Sequence, residues 1–150
     1  MNTYIWLKFI HVVSTAGWIG GFAAIAVLNI LASRNPDPRT IAAFLANAKG
    51  LGARLVGPAS GLAILTGIAA MLLRHLPAQR WIVWGIVAVA LFIVIGVAAL
   101  RPVLKRLTAA TQGGSSSEEV RVLLRRQRFL LTLNLLVLLS AFWAMIFKPE

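Results

Sequence analysis

The chain has no cysteine and only 4 acidic residues among its 150. The absence of cysteine excludes disulfides, thiolate metal sites, iron–sulfur clusters and thiol catalysis. No carboxylate falls within a long apolar run, which excludes paired-carboxylate acid–base chemistry there and argues against a proton relay built on intramembrane Asp or Glu. Charged residues make up 13% of the chain and hydrophobic residues 59%, against about 25% and roughly 45–50% in soluble domains. This composition predicts a membrane protein.

Four uncharged stretches are long enough to cross a bilayer, since about 20 residues of helix at ~1.5 Å rise span a ~30 Å hydrocarbon core. We therefore expect an all-α fold, a polytopic membrane protein with a four-transmembrane-helix bundle that forms one domain over residues 1–150. The predicted spans are at about residues 4–33, 55–73, 81–100 and 129–147.

Basic residues number 15 and give the chain a formal net charge of +11. Eleven of them lie in the loops between the first and second spans and between the third and fourth, and four lie on the other side. Under the positive-inside rule the two basic loops are cytoplasmic, so both termini are expected outside, in the periplasm, with the protein in the cell inner membrane. Because these residues alternate with apolar runs, we expect contact with anionic lipids and no binding of nucleic acid.

The two basic loops also contain helix signals. Asp37 followed by Pro38 is typical of an N-cap and a first helical position. The apolar residues that follow repeat at helical spacing and predict a short interfacial helix in the first cytoplasmic loop, lying on the inner membrane surface. In the second loop a capping box after a Gly- and Ser-rich stretch predicts a helix that runs unbroken through Arg128 into the fourth span.

Two glycine pairs mark the first two spans, Gly17-xxx-Gly21 and Gly57-xxx-Gly61. Small residues let helix backbones approach closely in a membrane. The pairs predict close helix packing, and they are compatible with a homodimer, with assembly into a larger membrane complex, or with room for a flat cofactor.

A few polar and sulfur-containing side chains gather in the outer half of the predicted bundle. Lys8, His11 and Trp18 lie at helical spacing on one face of the first span. Met71 and His75 form an i, i+4 pair at the outer end of the second span, and the fourth span ends there with Met145. Both histidines and two of the three methionines are thus expected near the outer membrane surface.

Three interpretations of this cluster stay open. In the first, His11 is the axial ligand of haem b and nearby cations meet the propionates; the residues of that site are His11, Lys8, Arg74 and Trp18. In the second, imidazole and thioether groups bind copper, which in its Cu(I) state prefers soft ligands; that set is His11, His75, Met71 and Met145. In the third there is no cofactor, and His11 hydrogen-bonds Ser14, a neighbouring helix or a backbone carbonyl.

Several short sequences carry a resemblance to known membrane proteins. The first-span pattern K-x-x-H-x5-G-W-x-G-G is the most distinctive of them, and Gly57-Pro58, Leu65-Thr66-Gly67, Leu100-Arg101-Pro102 and Phe147-Lys148-Pro149 accompany it. With these motifs the chain resembles an uncharacterised family of small bacterial four-helix integral membrane proteins. That family is similar in turn to the copper-resistance protein D membrane domain and, more distantly, to the HemJ-type protoporphyrinogen oxidase.

The resemblance implies a bacterial inner-membrane bundle in which His11 is the ligand of a haem or a metal. The HemJ-type enzyme also uses a lysine on its third helix, but residues 81–86 of this chain contain none, so enzyme activity stays undecided. The function expected first is haem b or copper binding with a role in electron transfer. The alternative is a structural or accessory subunit of a larger membrane complex, without a cofactor of its own.

Overall fold

The computed structural model describes residues 3–35, 37–73, 79–114 and 116–147. Every regular element in these ranges is helical, and four continuous helices are long and apolar enough to cross a membrane. This confirms the all-α, four-helix fold. In chain order the elements are α1 (Thr3–Ser33), α2 (Pro38–Leu51), α3 (Gly57–Leu73), α4 (Arg80–Val94), α5 (Arg101–Gln112) and α6 (Ser117–Phe147).

Two of the four long helices are built from two α-helices joined by a π-helical segment. Gly52–Val56 joins α2 to α3, and Ile95–Leu100 joins α4 to α5. Each segment ends two residues before a proline, Pro58 in the first case and Pro102 in the second. The residue before each proline donates its N–H to the carbonyl of a glycine five positions back. A proline ring clashes with the carbonyl four positions back in an α-helix, and the wider turn relieves that clash without ending the helix.

The helix α2 begins as the sequence predicts. Asp37 has extended backbone angles, and its carboxylate accepts hydrogen bonds from the backbone N–H groups of Arg39 and Thr40. The Thr40 hydroxyl also donates to this carboxylate, at 2.7 Å. The hydroxyl hydrogen bond from Thr40 and the backbone hydrogen bond from Arg39 hold the pKa of Asp37 below its usual value.

The apolar face of α2 differs from the expectation of a helix lying on the membrane surface. Ile41, Leu45 and Ala48 are buried inside the protein, and Ile41 and Leu45 belong to one cluster with side chains of α1, α5 and α6. In addition, α2 continues through the π-helical segment into α3. The hydrophobic spacing therefore predicts the helix correctly, but the apolar face of that helix is covered by protein.

The long helices pack in the order α3, α1, α6, α4. Backbone neighbours occur between α1 and α3, between α1 and α6, and between α4 and α6, whereas no Cα atoms of α3 and α4 within the described ranges come within 8 Å. One ring bridges the diagonal of the bundle: Phe92 of α4 meets Trp18 and Phe22 of α1 edge to face, with centroids 5.0 and 5.2 Å apart. Aromatic contacts thus join α1 to α4 across the bundle, and no close backbone contact within the described ranges joins α3 to α4.

Buried side chains form two separate cores. The first lies among the spans and comprises Trp18, Phe22, Val56, Ala59, Ala63, Leu131 and Leu138. The second comprises Ala32, Ile41, Leu45, Leu107, Ala110, Val120 and Leu124. It joins the last turn of α1 to α2, α5 and the first half of α6, and we call this part of the bundle the basic end, because it carries eleven of the 15 basic residues. The 31 residues of α1 or α6 extend about 46 Å, which leaves length for this core beyond a ~30 Å hydrocarbon layer.

The glycines of the two predicted pairs have different surroundings. A Cβ atom on Gly17 would touch Ala59, and one on Gly21 would lie 2.9 Å from a methyl group of Val56. The first pair therefore packs closely, as predicted. The second pair makes no close contact with another helix within the described residues: a Cβ on Gly61 would meet nothing within 4 Å, and on Gly57 it would meet the carbonyl of the π-helical turn.

Candidate functional site

The site is built around His11, whose ring lies between α1 and α3. The helices can approach here because the facing positions of α3, Ala63 and Gly67, are small. The Nδ1 atom of His11 is 2.8 Å from the backbone carbonyl oxygen of Ala63. Since a carbonyl oxygen only accepts, Nδ1 must carry the proton in this arrangement. The Thr66 hydroxyl lies further off, 3.5 Å from Nδ1, and is itself bonded to the Leu62 carbonyl at 2.6 Å.

This hydrogen bond determines what the other ring nitrogen can do. With the proton on Nδ1, a neutral imidazole has its lone pair on Nε2. Both hydrogen bonds of the His11 ring to described residues involve Nδ1, so Nε2 is available to a ligand, and the side chain is only half-buried. Histidines that bind metals almost always donate their second ring N–H to a carbonyl, a carboxylate or water in this way.

Gly67 lies directly against the ring. A Cβ atom at this position would be 2.9 Å from Cε1 of His11 and 3.2 Å from its Nδ1. A Cβ atom essentially never comes within 3.0 Å of a heavy atom of another residue that packs against it. The observed position of the His11 ring therefore requires glycine at this point of α3. In the sequence, Gly67 stands out only as part of the Leu65-Thr66-Gly67 motif.

The other predicted haem residues lie at different distances along α1. Lys8 is exposed and lies one turn from His11 towards the N-terminus of α1. From there a side chain of this length can reach the membrane surface. Trp18 is two turns deeper, 4% exposed, and packs on Phe92 of α4. Its Nε1 is buried with no hydrogen-bond partner among the described residues. Arg74, like His75, lies outside the described residues.

The predicted copper ligands do not all face one another. Met71 is half-buried on α3, one turn beyond Gly67. Met145 belongs to a different helix pair, because its terminal methyl lies 3.1 Å from where a Cβ would sit on Gly85, between α6 and α4. The described part of the chain contains no group of three or more His, Cys, Asp or Glu side chains that could hold a metal ion.

Comparison with known proteins agrees with this architecture. A family model described as a predicted integral membrane protein, DUF2269, matches residues 5–149. The chain belongs to the DUF2269 family. Searches of curated proteins and of solved structures find no match.

In this DUF2269 protein a second group of polar side chains lies buried between α1 and α6. The Nδ2 atom of Asn29 donates to Oε1 of Gln127 at 2.8 Å. Asn134, two turns further along α6, is completely buried, and neither its amide nitrogen nor its amide oxygen has a partner among the described residues. Sequence analysis missed Gln127, because it stands within a run of arginines. Its spacing from Leu124 and Leu131, three positions after one and four before the other, is the signal that would have placed it on the buried face.

Proposed function

We propose that this DUF2269 protein is an inner-membrane protein that binds haem b through Nε2 of His11. One observation carries the proposal: the Nδ1 proton of His11 is held by the Ala63 carbonyl at 2.8 Å, which orients the ring and leaves the remaining lone pair on Nε2. A hydrogen bond of this kind also increases the basicity of the coordinating nitrogen.

The residues around His11 fit such a group. Gly67 has no side chain, so the His11 ring can lie against the backbone of α3. The exposed Lys8 ammonium lies one turn away, where it can meet a carboxylate of the bound group. When bound, haem supplies reversible one-electron chemistry. The protein's part is to ligate through His11, to hold the proton on Nδ1 and to pair a carboxylate with Lys8.

Orientation follows from the charge distribution. Because eleven of 15 basic residues lie at the basic end, that end is expected in the cytoplasm and His11 near the periplasmic surface. A haem on the periplasmic side suits transfer of electrons to or from a periplasmic or membrane-borne partner. The resemblance to the copper-resistance protein D membrane domain and to the HemJ-type oxidase is consistent with a cofactor on the first helix.

The test is a visible absorption spectrum of the protein purified in mild detergent, oxidised and then reduced with dithionite. We expect a Soret band that shifts on reduction in the unchanged protein and is lost in both His11→Ala and His11→Gln. The glutamine variant is the sharper one, because its amide N–H can still donate to the Ala63 carbonyl while it offers no imidazole. Folded protein with a flat spectrum overturns haem binding, and metal analysis of the same sample then tests copper.

A second candidate function is that of an accessory subunit in a larger membrane complex. It is favoured by the lack of close backbone contact between α3 and α4 in the described ranges and by large exposed apolar side chains on both helices, such as Leu65 and Ile86. In this case the His11–Ala63 hydrogen bond serves only to join α1 to α3. Purification in mild detergent distinguishes the two functions: a lone, haem-loaded species argues against the subunit, and a haem-free protein that co-purifies in a larger assembly supports it.

A further inference from the structure

A pocket at the basic end is lined by three arginines. It has a volume of about 170 Å³, and its walls are Ser33 at the end of α1 and Arg121, Arg125 and Arg128 on α6. The three arginines follow one another at i, i+4 and i+7, so they lie on one face of the helix. This pocket is distinct from the His11 site, and nothing argued for haem depends on it.

No residue in the described ranges balances the charge in this pocket. The guanidinium groups of Arg121, Arg125 and Arg128 make no ion pair or hydrogen bond with any residue in the described ranges. The acidic residues nearest in sequence, Glu118 and Glu119, are exposed in the first turn of α6. Like charges one turn apart on a helix repel one another. The arrangement therefore favours an anion from outside the chain.

The backbone that carries the arginines is firmly positioned. Gln127, next to Arg128, is 4% exposed and accepts the hydrogen bond from Asn29, one turn before Ser33 on α1. Leu124, next to Arg125, is also buried. Buried contacts between α1 and α6 thus fix where Ser33 stands relative to the three arginines. The Ser33 hydroxyl donates to the Ile30 carbonyl at 2.7 Å, so the guanidinium groups are the donors available to a ligand.

The level of the pocket along the bundle indicates where its ligand comes from. Directly after Arg128 the surface of α6 becomes apolar, beginning with Phe129, which is 66% exposed. On α1 the exposed side chain of Leu31 precedes Ser33 by two residues. The pocket therefore lies where the apolar belt of the bundle ends, which is the level of lipid head groups.

We propose that this pocket binds a phosphate group, held by the guanidinium groups of Arg121, Arg125 and Arg128. Arginine presents paired N–H donors that match phosphate oxygens, often two at a time. The position at the end of the apolar belt favours the phosphate of an anionic phospholipid. A soluble phosphate compound has the same chemistry and is distinguished by the experiment.

The experiment compares two neighbouring arginines of α6 in the full-length protein. Arg125→Gln removes a charge that lines the pocket, and Arg126→Gln removes an equally exposed charge that does not line it. Each purified protein is titrated in neutral detergent with phosphatidylglycerol, with phosphatidylcholine and with inorganic phosphate, and bound ligand is counted by native mass spectrometry. Circular dichroism checks that each variant is helical, and Arg125→Lys, which keeps the charge but not the paired donors, serves as a second variant.

We expect phosphatidylglycerol to bind more tightly than phosphatidylcholine, with an affinity about tenfold lower in Arg125→Gln, as expected for the loss of one charge-assisted contact. Arg126→Gln should change the affinity less than about twofold, and Arg125→Lys should fall between the two. Tight binding of inorganic phosphate that Arg125→Gln also weakens supports the pocket with a soluble ligand. Equal effects of the 125 and 126 glutamine variants, or no preference for either phosphate probe over phosphatidylcholine, overturn the proposal.

Discussion

Replacing Gly67 with alanine tests the contact on which the His11 site depends. The added Cβ would lie 2.9 Å from Cε1 and 3.2 Å from Nδ1 of His11, while ordinary contacts begin at 3.4 Å. The ring must therefore move by about half an ångström, or α1 and α3 must separate by as much. Either movement lengthens the 2.8 Å hydrogen bond to Ala63.

The expected change in the free energy of unfolding is the balance of opposing contributions. Overpacking of this kind costs about 1–3 kcal/mol, and weakening an interhelical hydrogen bond in a membrane protein costs on average about 0.6 kcal/mol. The higher helix propensity of alanine than of glycine offsets about 1 kcal/mol of this destabilisation. We expect Gly67→Ala to lower the free energy of unfolding by about 0.6–2.6 kcal/mol, the sum of these contributions.

Gly61 provides a matched control on the same helix. A Cβ on Gly61 would meet nothing within 4 Å, so Gly61→Ala gains helix propensity and loses no contact. Unfolding of each variant from mixed micelles by increasing sodium dodecyl sulfate, followed by tryptophan fluorescence and circular dichroism, measures the difference. Equal unfolding free energies for the two alanine variants would refute the reasoning, since they would mean that the His11 ring does not depend on the absence of a side chain at position 67.

Three further perturbations test the rest of the fold. Leu124→Ala, at a side chain only 1% exposed, should destabilise the protein by about 2–5 kcal/mol in the same unfolding assay, whereas Val122→Ala, at 52% exposure on the same helix, should change it by no more than about 0.5 kcal/mol. Asn29→Ala leaves the buried Gln127 amide without its partner and should cost about 1–3 kcal/mol; a double-mutant cycle with Gln127→Ala should give a coupling energy, and strict additivity would contradict the pair. The pKa of Asp37 is lowered in the folded state by the hydroxyl and backbone hydrogen bonds that its carboxylate accepts. The stabilisation of α2 by the Asp37 carboxylate is therefore present above the unfolded pKa, near 3.8, and is lost as the pH falls through the lower, folded pKa. The difference in amide exchange of α2 between Asp37→Ala and the unchanged protein should accordingly shrink below about pH 4.

Local signals predicted those features that depend on neighbours in sequence. The uncharged runs identified all four long helices, and Asp37 with Pro38 identified the start of α2. What the sequence did not predict depends on contacts between helices. The carbonyl that binds His11 comes from Ala63, a residue with no polar side chain to mark it, and it is available because Gly67 lets the ring approach.

The π-helical segments show a second feature that the sequence alone does not predict. A proline inside an apolar run indicates a disturbed helix, but it does not say whether the helix ends, bends or widens. Here Pro58 and Pro102 are both accommodated by widening, and in both cases the accepting carbonyl belongs to a glycine, Gly52 or Gly96. A glycine six residues before an intrahelical proline is the pattern common to the two segments. With that pattern, α2 would have been predicted to continue into the second span.

The two proposed sites lie on the same helix but at opposite surfaces of the membrane. His11 and Ser33 are separated by 22 positions on α1, which corresponds to about 33 Å along a regular helix, slightly more than a ~30 Å hydrocarbon core. No single head group or haem can reach both sites, so a ligand at one cannot account for binding at the other. Consequently the tests are independent: Arg125→Gln should keep any Soret band that the unchanged protein has, and His11→Gln should keep its affinity for phosphatidylglycerol. Joint loss of both in one folded variant would mean instead that the two ends are coupled through the α1–α6 contact, where Asn29 meets Gln127.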